Sequence, residues 1–79
     1  MANYLKGKNA SYYAKHSKRV TSRTATRGER SYSRSWLSGF AEIWQDDGTH
    51  DISDCKNSFE RTAYIRGKNF AQKVLNEKE

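Results

Sequence analysis

The segment His50-Asp51-Ile52-Ser53-Asp54-Cys55 gathers the side chains best suited to ligate or attack. A structural zinc set needs four ligands, and the other histidine, His16, lies far away in the chain. An EF-hand reading places Gly48 at the sixth loop position, which puts Ile43 and Gln45 where carboxylates are required. Cys55 and His50 can be drawn as nucleophile and base. Cys55 also opens an apolar helical stripe, so a structural thiol is the simpler assignment. No glycine-rich phosphate loop is present, and 79 residues shape no paired-carboxylate cleft. These residues point away from an enzyme, a metal and a cofactor.

The chemistry that fits is binding. Residues 15–34 carry Lys15, Lys18, Arg19, Arg23, Arg27, Arg30 and Arg34 against Glu29, a net +6 that equals the excess of the whole chain. Cations in this density neutralise phosphates, and Tyr12, Tyr13 and Tyr32 beside them can stack on unpaired bases. Arg66, Lys68 and Lys73 offer a second positive edge. Residues 42–60 are instead acidic, at −5, through Glu42, Asp46, Asp47, Asp51, Asp54 and Glu60 against Lys56. Segregated charge of this kind suggests one side turned to a polyanion and another that is acidic.

These groups need a scaffold, and its centre is Ser35–Trp44. Trp36, Gly39, Phe40, Ile43 and Trp44 recur at helical spacing and form one face. Gly39 within a helix costs about 1 kcal/mol against alanine, which implies close approach by a neighbouring backbone or ring. Helix capping by Ser33 or Ser35 and a stop near Asp46-Asp47-Gly48, with Gly48 left-handed, bound this second helix. A competing reading pairs residues 36–45 with 49–53 as a β-hairpin, because Asp-Asp-Gly-Thr is also good turn chemistry. Residues 2–16 read as a short first helix, with Leu5, Tyr12 and His16 on one side. The third helix runs from Cys55, capped by Ser53 or Asp54 with Ile52 as a staple. Its stripe is Cys55, Phe59, Ala63, Gly67, Phe70 and Val74, widened by Tyr64, Ala71 and Leu75. Residues 76–79 should fray. Residues 17–34 have no apolar face at any period and read as a basic flexible arm. The fold class is therefore all-α, one domain over 1–79 with three helices and an arm. The alternative is α+β, with a hairpin at about 36–53 and a C-terminal helix.

Tyr4-Leu5-Lys6-Gly7-Lys8-Asn9 echoes Tyr64-Ile65-Arg66-Gly67-Lys68-Asn69, and Trp36-Leu37-Ser38-Gly39 repeats the first half. An aromatic residue and a glycine one turn apart let a ring of one helix sit over the glycine of another. The segment Ser33–Glu42 resembles the second helix of ribosome modulation factor, a small basic bacterial protein with a Trp-Leu-x-Gly-aromatic-x-Glu run. Tyr4–Gly7 resembles the upstream aromatic-x-x-Gly helix of that family. Its Pro-Tyr element is missing here, since the chain has no proline, and the third helix has no counterpart in it. The resemblance implies binding to ribosomal RNA and ribosome-linked regulation, with the region of Trp36 and Gly39 involved.

One cysteine makes an intrachain disulfide framework impossible, and a reducing cytoplasm, bacterial or phage, is the expected setting. No apolar run approaches the roughly 18 residues of a membrane span. The N-terminal residues lack the apolar stretch of a signal peptide. The favoured function is nucleic-acid binding by occupancy, with ribosomal or other RNA preferred and DNA the lesser choice. The alternative is a protein-interaction module, such as a phage inhibitor of a host enzyme or defence complex, using the acidic face or exposed aromatics.

Overall fold

The computed structural model describes residues 7–46 and 48–78. They form three α-helices, α1 (Gly7–Thr21), α2 (Arg27–Trp44) and α3 (Ser58–Lys78), with a short 3₁₀ turn at Ile52–Asp54. The all-α expectation holds, and no strand occurs among the described residues, so the hairpin at 36–53 is excluded. Residues 2–6 of the expected first helix, with Tyr4 to Lys6 of the echo, lie outside the described residues.

The basic flexible arm is corrected. Residues 17–21 finish α1, residues 27–34 open α2, and only 22–26 connect them. The helix starts at Arg27 rather than at Ser33 or Ser35 because Thr26-Arg27-Gly28-Glu29 is a capping box. Thr26 Oγ1 accepts the Glu29 backbone N–H at 3.0 Å, and Glu29 Oε1 accepts that of Thr26 at 2.8 Å. Arginine is a good helix former, so once capped this run needs few apolar residues. Arg30 anchors the connection, its guanidinium donating to the carbonyls of Ala25 (2.7 Å) and Ser22 (3.2 Å).

The other boundaries also shift. α2 stops at Trp44, with Asp46 at φ 51° as the first left-handed residue and Gly48 at φ 76° following. α3 starts at Ser58, not Cys55. Asn57 Oδ1 accepts the Glu60 N–H and Glu60 Oε1 accepts that of Lys56, each at 2.9 Å, whereas Ser53 and Asp54 lie in the 3₁₀ turn capped by Asp51. Cys55 thus precedes the helix. At the far end, fraying from Asn76 is not what the structure shows. The helix runs through Lys78, and Asn9 of α1 donates to Glu77 at 3.1 Å.

The core is built on Trp36 and Phe40 of α2 with Ala63, Tyr64, Ala71 and Val74 of α3, all buried. α2 and α3 run in the same direction. Ser31 bonds Glu60 and Tyr32 meets Phe59 near both N-termini, while Glu42 pairs with Lys68 farther along. α1 runs opposite to both, with Asn9 at Glu77, Tyr13 against Phe40, and His16 at Ser33.

Two glycines set the α2–α3 distance. A methyl group on Gly39 would overlap the Tyr64 carbonyl, and one on Gly67 would overlap the Trp36 carbonyl. Each glycine of an aromatic-x-x-Gly segment therefore lies against the backbone of the aromatic residue in the other segment. The sequence echo marks this crossing, although the backbone carbonyl, not the ring, covers the glycine. Carbonyls this close to a glycine Cα make the weak Cα–H···O contacts common between tightly packed helices.

Candidate nucleic-acid interface

Because α1 opposes α2 and α3, the C-terminus of α1 and the N-termini of the other two share one end of the molecule. Lys15, Lys18 and Arg19 come there from α1, Arg23 from the connection and Arg27 from α2. Arg34, expected with them, instead lines the polar cavity beside Asp51, Asp54 and Glu60. The Lys56 backbone N–H, and Arg34 less strongly, lower the Glu60 carboxyl there. None of the five cations at the shared end has a carboxylate oxygen within 4.0 Å among the described residues. Lys15, Lys18 and Arg19 border a shallow depression of about 430 Å³ with Ser22, Thr24, Ala25 and Glu29. The carboxyl of Glu29 is held below its ordinary range, first by the Thr26 backbone N–H it accepts, so it stays ionised there. Its negative charge at the N-terminus of α2 opposes an outside anion there, leaving side-chain cations to attract one.

Not every expected cation is available. Arg30 is spent on the connection, Arg66 donates to the Tyr32 hydroxyl at 2.9 Å, and Lys68 pairs with Glu42 at 3.1 Å. Lys73 lies 4.0 Å from Glu77. The Lys68 pair belongs to a small network, for Glu42 also accepts from the Tyr64 hydroxyl. That hydrogen bond, then Lys68, lowers the Glu42 carboxyl, while burial and Glu42 raise the Tyr64 phenol.

The three tyrosines divide between core and surface. Tyr13 is half-buried against Phe40 and Trp36, with centroids 4.8 and 6.3 Å away. Tyr32 is half-buried between His16 and Phe59. Tyr12 packs edge-on to Trp36 and remains 43% exposed, with Lys15 Nζ 5.9 Å from its ring centroid.

Two groups beside this end differ in burial from what their helical positions suggest. His16 is 3% exposed, stacked on the Trp36 indole at 4.1 Å, with Nδ1 3.0 Å from the buried Ser33 hydroxyl. Its Nε2 is buried without a partner. Burial, then Arg19 and Lys15, lower its pKa to about 4, so the ring is neutral near pH 7. The signal available was its spacing of four from Tyr12 on one helical face. Phe59, expected in the core stripe, is instead 51% exposed, because it falls in the first turn of α3 and overhangs Tyr32.

The acidic segment lies elsewhere. Residues 51–56 lie along the side of α2 that carries Ser31, Arg34, Ser35 and Ser38, away from the Ser33, Trp36 and Phe40 face that meets α1. There Asp51, Asp54 and Cys55 border a polar cavity of about 260 Å³. Burial, then Glu60, raise the Cys55 thiol, which disfavours the thiolate a nucleophile requires. No cluster of three metal-ligating side chains exists among the described residues. No helix among them is long and apolar enough to cross a membrane.

Comparison with known proteins gives no match: no family model, curated protein or solved structure aligns with the chain. The likeness to ribosome modulation factor rests on its short motifs.

Proposed function

We propose that the protein binds nucleic acid through its basic end and acts by occupying it, with RNA preferred to DNA. The observation that carries this is the convergence of Lys15, Lys18, Arg19, Arg23 and Arg27 from three segments with no ion-pair partner among the described residues. Placing like charges together opposes folding slightly and invites a polyanion. Ordered helices carry the cations, so little chain entropy is lost when phosphates dock. The preference for RNA, and for ribosomal RNA within that class, rests on the motif resemblance.

The test is affinity for a labelled RNA across a salt series. Contacts to about five phosphates imply a loss of about 10²- to 10³-fold between roughly 50 and 200 mM salt. Changing Lys18, Arg19, Arg23 and Arg27 together to glutamine should weaken binding and flatten the salt dependence, while circular dichroism stays helical. Arg30 is left intact because it holds the connection. Absent or salt-independent binding overturns the reading. A single protein partner retained from nuclease-treated lysate, with no RNA affinity, would favour the protein-interaction alternative.

A further inference from the structure

The structure points to a second element of recognition, and we propose that Phe59 and Tyr12 are platforms on which the bases of a single-stranded nucleic acid stack. The inference rests on the basic-end reading and narrows its ligand from nucleic acid to a strand with unpaired bases.

Phe59 and Tyr12 are the two most exposed aromatic rings among the described residues, at 51% and 43%. They are the ends of one continuous ring ribbon rather than isolated surface residues. Phe59 meets Tyr32 at 5.3 Å, Tyr32 faces His16 at 6.3 Å, and His16 meets Tyr12 at 5.1 Å between centroids. Tyr12 is backed in turn by Phe70 at 5.0 Å and Trp36 at 5.6 Å. The inner rings hold the outer ones in place, so each outer ring offers its free surface without the rotamer entropy of a floppy side chain.

Charge beside the ribbon matches the proposed occupant. Lys15 lies over the Tyr12 ring. Arg19 and Lys18 follow on α1 toward the basic end. The neighbouring acid, Glu60, is already engaged by the Ser31 hydroxyl at 2.8 Å and the Lys56 N–H at 2.9 Å. Rings flanked by cations suit a chain that alternates bases and phosphates. A duplex hides its base faces, so only an unpaired strand gains from the rings.

The experiment compares a labelled twelve-nucleotide oligouridine with an RNA duplex of equal length, using Phe59→Leu, Phe59→Trp and the wild type. The single strand should bind the wild type more tightly. Phe59→Leu should lower that affinity about 5- to 100-fold and leave the duplex affinity unchanged, and Phe59→Trp should retain it. Thermal melting confirms that each variant folds, and Phe59→Trp supplies the reading if leucine does not. Equal binding of both probes, or a Phe59→Leu variant that keeps its single-strand affinity, overturns the stacking proposal and leaves the basic-end reading standing. No binding to either probe overturns both.

Discussion

Along the α2–α3 seam two glycines bring backbones into contact, whereas along the α1 seam rings and a buried histidine fill the gap. The first seam is a matter of shape. Gly39 lies on the Tyr64 carbonyl and Gly67 on that of Trp36, and neither contact involves a group that titrates. The second seam combines dispersion with an imidazole that must stay neutral, held between the Ser33 hydroxyl and the Trp36 face. The seams should therefore fail under different insults, the first to added volume and the second to added protons.

Added volume should have the larger effect. Alanine is intrinsically better than glycine in a helix by about 1 kcal/mol, so Gly39→Ala or Gly67→Ala would stabilise the protein if the seam had room. A new methyl would instead meet backbone, which no rotamer change relieves, and the helices must part. A loss of about 3 kcal/mol or more is expected in denaturant unfolding for either variant. Gly28 is the internal control. It lies in the first turn of α2 with only the Thr26 hydroxyl, 3.9 Å away, near its added methyl. Gly28→Ala should be neutral or stabilising by up to about 1 kcal/mol. A stabilising Gly39→Ala would show that the tight crossing is wrong.

Protons should break the other seam. The His16 pKa in the folded protein, about 4, is below the ordinary 6.5, so the unfolded chain binds the extra proton first as pH falls. Stability is fully present above about pH 6.5 and declines as pH drops toward 4, by at most about 3 kcal/mol. Urea unfolding at several pH values measures this slope. Lys15 and Arg19 on α1 add to it, and the groups that α2 turns to the ring are Tyr32, Ser33 and Trp36, without a carboxylate. His16→Phe keeps the stack and should remove the histidine's part of the slope, leaving only the carboxylates' part below about pH 5.5. The depressed carboxyls of Glu29, Glu42, Asp51 and Glu60 act separately: their stabilisation is present above their ordinary range and is lost at lower pH. An unchanged slope in His16→Phe would remove the histidine from the account.

The same contrast explains what could be read from the chain. The α2–α3 seam was legible because it repeats a pattern, aromatic-x-x-Gly, and because Trp36, Phe40, Ala63, Ala71 and Val74 keep helical period. The α1 seam was not, since its decisive residues are a histidine and a serine that no hydrophobicity pattern selects. The basic segment was misread for a related reason. Its helices are held by a cap and by Arg30 bonds to carbonyls, and neither leaves an apolar face in the sequence. The Thr26-x-x-Glu29 box was present in the sequence and would have placed the start of α2 eight residues before Ser35. For the candidate interface, the sequence held the cations but not their sorting. Whether a lysine or arginine is free or tied, as Arg30, Arg66 and Lys68 are, depends on long-range partners.

That box supplies the smallest test, and it probes the joint between the two seams. Thr26→Ala removes the side-chain acceptor for the Glu29 N–H and leaves the Glu29 carboxylate without its reciprocal partner's hydroxyl. A loss of about 1 kcal/mol is expected. It should be the same at pH 5 and pH 8, because the cap belongs to the start of α2 and touches neither the glycine crossing nor His16. A pH-dependent loss would mean that the joint and the histidine seam open together, and the separation of the two seams would fail. If the loss is uniform, the cations of the 22–34 region remain on a helix whose start can be loosened independently. Thr26→Ala should then weaken RNA binding only slightly, since Arg23 and Arg27 keep their charges while losing some of their fixed placement.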